Sequence, residues 1–241
     1  MSKKSDTRPF HLKQFSLFHH QSSMKVGTDA LLLGIWTDVD GTTRILDVGS
    51  GCGILALLTA ARSNAQVDAV ELDEASFKET SDNFYNAAFH NRLHAFHDDF
   101  NHFASVVKYK YDLIISNPPF FINDMRAREK KRNDARHGDR LNYKDLCKGA
   151  SSILNANGRF CLVLPKDESR IFIQIANRNK LYVNRQMLII PKRGLPPNRI
   201  NLELSFYNTP LTSEEFVIRE TEGAFTHQYI QFFKNYLIGF D

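Results

Sequence analysis

From Arg44 onward the chain alternates short runs rich in β-branched and aromatic residues with longer stretches whose apolar residues recur near i, i+3, i+4 and i+7. The short runs predict strands at 44–48 (RILDV), 66–71 (QVDAVE), 92–97 (RLHAFH), 111–116 (YDLIIS), 158–164 (GRFCLVL), 182–190 (YVNRQMLII) and 199–207 (RINLELSFY). The longer stretches predict helices at 54–62, 74–88, 142–154 and 167–178. Strands alternating with helices argue for βαβ units, so the expected fold class is α/β with a mainly parallel, seven-stranded sheet. Asn157-Gly158 is expected to end the helix at 142–154 in a turn that tolerates positive φ. Only PKRGLPPN separates the last two strands, which therefore pair as a C-terminal antiparallel hairpin. THQYIQFFKNYL (226–237) reads as a closing amphipathic helix.

The totals narrow this picture. A chain of 241 residues, 42% hydrophobic and 24% charged, suits a single domain spanning 1–241 with a substantial core. The charged start MSKKSDTRPF leads into no apolar segment, and no run approaches the roughly 18 apolar residues of a membrane span, so a cytoplasmic protein is expected. Cys52, Cys147 and Cys161 form no CxxC pair and are odd in number, which supports neither a disulfide framework nor a thiolate zinc site. The net charge is only +4, but the stretch 125–140 sets Arg126, Arg128, Lys130, Lys131, Arg132, Arg136 and Arg140 against Glu129, Asp134 and Asp139. That surplus equals the charge of the whole chain. It favours a polyanionic partner, with a solvated surface loop as the plain alternative.

Candidate chemistry gathers where the predicted strands end. The first runs into DVGSGCG, with Asp47, Gly49, Gly51 and Gly53 just before a helix. Glycines there let the backbone turn tightly against a ligand, and the helix start offers unpaired N–H groups. The G-x-G-x-G spacing lacks the third glycine of the dinucleotide fingerprint, which argues against NAD. Glu71 closes the second strand at about the distance at which an acid accepts hydrogen bonds from a ribose diol, although it could simply cap the next helix together with Asp73. Asp99, with Asp98 as its competitor, ends the third strand at the same edge, and Asn117-Pro118-Pro119-Phe120 ends the fourth. Neither proline has an N–H, so the chain leaves the sheet along a stiff path with its acceptors uncommitted. An exocyclic amine, whose lone pair is delocalised into its ring, would suit two such acceptors, and Phe120 offers a face for a base worth ~1–3 kcal/mol in stacking.

DVGSGCG, VELD, HDDF and NPPF together resemble the class I S-adenosylmethionine-dependent methyltransferases, whose fold is Rossmann-like, of the kind that modify amino groups held in a planar system. SMKVGTDALLLGIW (23–36), ARH (135–137) and the closing helix look more specifically like the bacterial tRNA1(Val) adenine-N6 methyltransferases, over about Phe15 to Tyr236. The resemblance implies that Asp47, Gly49, Gly51 and Gly53 hold the methionine part of S-adenosylmethionine, Glu71 the ribose and Asp99 the adenine. Lys25, Gly27, Thr28 and Asp29, in an N-terminal segment 1–40, would cover the methionine end. Asn117 and Pro118 would accept from the N6 amine of the adenine 3′ of the anticodon while Phe120 stacks on the base. Phe120 stands where Tyr is frequent in relatives, so no hydroxyl acts there. A basic loop at 121–142, with Arg126, Arg128, Lys130, Lys131, Arg132, Arg136 and His137, would grip tRNA together with Lys192, Arg193 and Arg199, the protein acting as a monomer. NPP[FY] is shared with rRNA and protein-glutamine methyltransferases, which form the alternative reading. An RNA-binding protein that keeps the fold is the non-enzyme one. His90, His94 and His97 do not share one helix face, and no metal site is expected.

Changing Arg126, Arg128 and Lys130 together to Ala is expected to weaken tRNA binding and to lower the slope of log affinity against log salt by about one for each lost phosphate contact. Filter binding across a salt series reads this directly. An unchanged slope would move the binding surface elsewhere.

Overall fold

The computed structural model describes residues 7–119 and 141–240. Its first elements are two short antiparallel strands, β1 (Phe10–His11) and β2 (Ser16–Leu17), followed by helix α1 (Thr28–Trp36). Seven of the nine α1 residues, Ala30 to Trp36, are buried. A helix apolar all round belongs inside, and α1 lies against the next helix in the same core.

Strand and helix then alternate through β3 (Arg44–Val48), α2 (Ile54–Ala61), β4 (Gln66–Glu71), α3 (Glu74–Tyr85), β5 (Leu93–His97), α4 (Phe100–Val106) and β6 (Tyr111–Ser116). The described chain resumes before α5 (Tyr143–Ile153), β7 (Leu154–Pro165), α6 (Lys166–Arg178), β8 (Tyr182–Ile190), β9 (Arg199–Ser205), β10 (Thr212–Val217) and α7 (His227–Phe233). One sheet takes the order β10-β8-β9-β7-β6-β3-β4-β5. Strands β3 to β7 pair in parallel, and β9 runs antiparallel to both β7 and β8. All seven expected strands and the C-terminal hairpin are therefore present.

An eighth strand, β10, pairs in parallel with β8 at the edge. TSEEFV gives little strand signal, because as an edge element it buries only Phe216 and leaves its first four residues exposed. The seven-residue α4 was likewise too short to register as periodic.

Asn157-Gly158 does not form the expected turn. Helix α5 ends at Ile153 and β7 begins at once, with both residues inside the strand and Gly158 absent from the positive-φ positions. The pairing slips here, Tyr111 facing Leu154 while Leu113 faces Arg159, so β7 bulges. A Cβ on Gly158 would lie 2.8 Å from the Leu154 side chain and 2.9 Å from the Tyr111 carbonyl oxygen. Glycine serves close approach of two backbones here, not an unusual φ.

The sheet separates two cores. One joins α1, α2, α7 and the N-terminal ribbon to one face, and the other joins α4, α5 and α6 to the opposite face. The parallel registers bring the carboxyl ends of β3, β4, β5 and β6 to a common edge, Val48 beside Ser116 and Glu71 beside His97.

Gly158→Ala is expected to destabilise the fold by roughly 1–3 kcal/mol through overpacking, seen as a lower urea midpoint at unchanged m. An unchanged midpoint would mean that Leu154 yields without strain.

Candidate active site

Where β3 ends, the backbone turns through Gly49 at φ 70°, Gly51 at φ 57° and Gly53 at φ 82° before entering α2. A Cβ at Gly49 or Gly51 would meet nothing within 4 Å, so these glycines are required by backbone conformation and leave open space beside the turn. That space is part of a cavity of about 700 Å³ at the carboxyl edge of the sheet. Its described walls come from Ser23 to Lys25 of the N-terminal segment, Val48 to Cys52 of the turn, Val70 to Glu74, Asp98 to Phe100, Ser116 to Pro119, and Leu141. The volume lies within the ~300–1,000 Å³ typical of small-molecule sites.

Glu71 uses its two oxygens to shape this cavity. Oε2 accepts from the Gly51 N–H at 2.8 Å and Oε1 from the Asp73 N–H at 2.9 Å, while Asp73 itself caps α3. Each carboxylate oxygen keeps acceptor capacity for a further hydroxyl. At the end of β5, both oxygens of Asp98 engage His102 Nδ1, at 2.9 and 2.8 Å. Asp99 caps α4 through Oδ1 alone, accepting from the Asn101 and His102 N–H groups. Its Oδ2 takes no part in the cap, so of the two acids Asp99 keeps the freer oxygen. The end of β6 is tied to β3 by the Ser116 hydroxyl, which donates to the Val48 carbonyl at 2.8 Å. The next residue, Asn117, holds its Oδ1 buried with no hydrogen-bond partner, followed by a buried Pro118 and an exposed Pro119. Asn117 is a residue of the cavity wall, and a buried acceptor without a partner there calls for an explanation.

Residues 13–171 match the methyltransferase small domain. The chain belongs to that methyltransferase family. It is 36% identical over 230 residues to the tRNA1(Val) (adenine(37)-N6)-methyltransferase of Bacteroides fragilis strain ATCC 25285, covering 95% of this chain and 97% of the relative. Identity to the protein of the same name from Pectobacterium carotovorum is 35% over 231 residues, covering 95% of this chain and 93% of the relative. Among solved structures, a predicted O-methyltransferase from Agrobacterium tumefaciens superposes with a TM-score of 0.68 at 20% identity, covering 86% of this chain and 96% of its own. Ribosomal protein L11 methylase from Lactobacillus delbrueckii does so at 0.55 and 18%, covering 81% and 98%. At such identities these two structures speak for the fold.

The methyltransferase cavity does not contain every residue expected in it. Asp47 is wholly buried and stands behind the turn, where Oδ2 accepts from the Ala56 N–H at 3.1 Å. Gly53 also stands back, because a Cβ there would come within 2.9 Å of the Phe84 ring. Gly27, Thr28 and Asp29 lie outside the described cavity wall, which takes Lys25 and Ala30 from this region. Asp29 instead accepts from Arg199 Nε at 2.8 Å and joins α1 to β9. Arg193 pairs with Glu220, so both arginines expected to meet tRNA already have acidic partners, while Lys192 is exposed. Phe120, Arg126, Arg128, Lys130, Lys131, Arg132, Arg136 and His137 lie outside the described residues.

Two contributors belong to no motif read from the sequence. Ser116 and Leu141 line the cavity. Helix α3 was expected to present an apolar face, yet Ser76, Glu79, Thr80 and Asn83, spaced i, i+3, i+4 and i+7, are all buried. Glu79 accepts from the N–H groups of His20, Gln21 and Ser22 and from the Ser22 hydroxyl. Burial alone would raise its pKa, but these donors outweigh burial and hold the carboxyl below its ordinary range.

Asp47 behaves in the opposite way. Burial, against a lowering hydrogen bond from Ala56 and with a further push from the Glu71 charge, raises its pKa from 3.8 to about 7. Between those values the folded state keeps a proton that the unfolded state has lost, so Asp47 makes stability fall as pH rises from about 4 to about 7. Asp47→Asn is expected to flatten that decline in urea titrations run across the interval. An equally steep decline in the variant would show that other groups cause it.

Proposed function

We propose that this chain transfers a methyl group from S-adenosylmethionine to N6 of an adenine in the tRNA anticodon loop, adenine 37 of tRNA1(Val), as a monomer in the cytoplasm. The observation that carries this reading is the buried, unpartnered Oδ1 of Asn117 beside two prolines that have no N–H to offer. The family relationship supports the substrate, since the curated relatives carry that name over nearly the whole chain. Among the described residues no helix is long and apolar enough to cross a membrane.

The residues present suit the cofactor. The open space beside Gly49 and Gly51 would admit its amino-acid part, Lys25 lies on the wall from the N-terminal side, Glu71 would accept from the ribose hydroxyls, and Asp99 Oδ2 from the adenine amine. When bound, S-adenosylmethionine supplies a methyl carbon made electrophilic by its sulfonium. The protein's own task is placement. Asn117 Oδ1 and the Pro118 carbonyl would accept the two N–H bonds of the target amine, pulling its nitrogen towards tetrahedral geometry and turning the lone pair to the methyl group. In-line transfer then needs no covalent intermediate on the enzyme and no assigned general base, because the nitrogen that gains a methyl sheds its extra proton to solvent. The adenine must first leave its stack, at a cost of a few kcal/mol that is least in a single-stranded loop. Phe120 would receive the base on its face. Lys192 and the basic stretch 125–140 would hold the phosphates, and Arg193, whose ion pair lies at the surface and is partly screened, can exchange Glu220 for a phosphate at modest cost.

With methyl-labelled S-adenosylmethionine and a choice of total tRNA, rRNA and ribosomal or release-factor protein, label is expected in tRNA on an adenine. Label confined to protein would overturn the reading. Asn117→Ala is expected to bind cofactor within about twofold of wild type and to lose turnover by ~10² or more. Full turnover in that variant would remove Asn117 from the chemistry.

A further inference from the structure

We propose that the buried polar face of α3 is the positioning device of the cofactor site, with Glu79 holding the N-terminal segment against the cavity and Thr80 and Asn83 holding the glycine turn. The proposal rests on the reading that this cavity takes S-adenosylmethionine. Glu79 and Asn83 are each 2% exposed, and Ser76 and Thr80 are wholly buried. Polar groups at such depth cost free energy unless they are paired, and an apolar stripe would pack a helix without that risk. All four have partners, and most of those partners are backbone groups of segments that no strand or helix ladder satisfies.

The partners fall on two cavity walls. Ser76 Oγ accepts from the Ser23 N–H at 3.4 Å, and the four donors on Glu79 come from residues 20 to 22, immediately before the lining residues Ser23, Met24 and Lys25. Asn83 accepts from the Phe18 N–H at 2.8 Å and donates to the Phe18 carbonyl at 2.8 Å and the Cys52 carbonyl at 2.9 Å. Thr80 donates to the Gly51 carbonyl at 2.6 Å. Asn83 thus bridges the N-terminal segment and the turn within one side chain.

The segment is also fixed at both ends. Upstream, Leu12 bridges to Leu237 and the Lys13 N–H donates to the Tyr236 carbonyl. Downstream it enters α1 at Thr28. Between these points the Glu79 carboxylate concentrates four hydrogen bonds on three consecutive residues, which leaves the stretch before Lys25 one position. Without Glu79 three N–H groups, that of Ser22 buried and those of His20 and Gln21 part-buried, must seek water, and the segment lifts from α3. Asn117 stands on the exit from β6 and takes no bond from this segment, so the effect falls on cofactor affinity and spares the chemical step.

The test uses the full chain with S-adenosylhomocysteine as calorimetric probe, steady-state kinetics, and hydrogen exchange at the His20, Gln21 and Ser22 amides. Glu79→Ala is expected to raise the Kd for S-adenosylhomocysteine and the KM for S-adenosylmethionine about tenfold, keep kcat within about twofold, and speed exchange at those amides. Glu79→Gln, which keeps one carbonyl acceptor, should fall between, and Asp82→Ala on the exposed side of α3 should change nothing. If Glu79→Ala loses cooperative melting, Ser22→Ala decides, with an expected rise in Kd of about threefold for one lost hydrogen bond. Wild-type binding with unchanged Kd in the variants, or a fall in kcat at constant KM, overturns the proposal alone. A wild-type chain that fails to bind S-adenosylhomocysteine overturns the cofactor reading, and this proposal with it.

Discussion

A backbone that leaves a sheet edge gives up the ladder that satisfied its peptide groups, and the site of this methyltransferase is built from the substitutes. Four strands end at one edge, and each exit is held by a side chain that replaces a ladder partner. Glu71 takes the Gly51 and Asp73 N–H groups, Asp99 caps α4, Ser116 binds the Val48 carbonyl, and Asp47 accepts from the start of α2. The N-terminal segment has no ladder of its own at residues 18 to 23 and borrows one from α3. Because unpaired buried peptide groups are costly, these side chains are as necessary to the fold as to the cavity.

Against that background of satisfied groups, the exceptions are informative. Asn117 Oδ1 is buried and unpartnered on the cavity wall, a state that lowers stability and is tolerated where a ligand supplies the missing donor. Asp47 Oδ1 is also without a partner, but it lies behind the turn in a place that favours the neutral acid. These two orphaned oxygens thus differ in kind. Asn117 belongs to the cavity wall, whereas Asp47 stands outside that wall and adjusts by holding a proton.

Electrostatics follow the same division between internal and external partners. Arg199 and Asp29 fasten β9 to the first turn of α1, so a cation that reads as an RNA contact also joins two elements. Arg193 and Glu220 meet in solvent, where an ion pair is easily exchanged. The basic surplus that distinguishes this chain from a neutral enzyme of similar size lies in 125–140, directly after the strand exit that carries Asn117.

The α/β class, the seven strands of the alternating pattern, the glycine turn, Glu71, Asp99 and the proline exit were all legible along the chain, because each leaves a local mark: a period, a spacing, or a residue that cannot donate. Strand β10 was not, since an edge strand with one buried side chain carries almost no period. Gly158 was legible as a glycine and misread as a turn, because crowding by Leu154 and the Tyr111 carbonyl comes from a bulge between neighbouring strands. The polar face of α3 has helical spacing in plain view, but whether Glu79 points into water or into the backbone of residues 20 to 22 depends on where a segment nearly sixty positions away comes to rest. Chemistry that needs particular atoms at a strand end is written locally, whereas partnerships between distant segments are decided only when the fold brings their unsatisfied groups together.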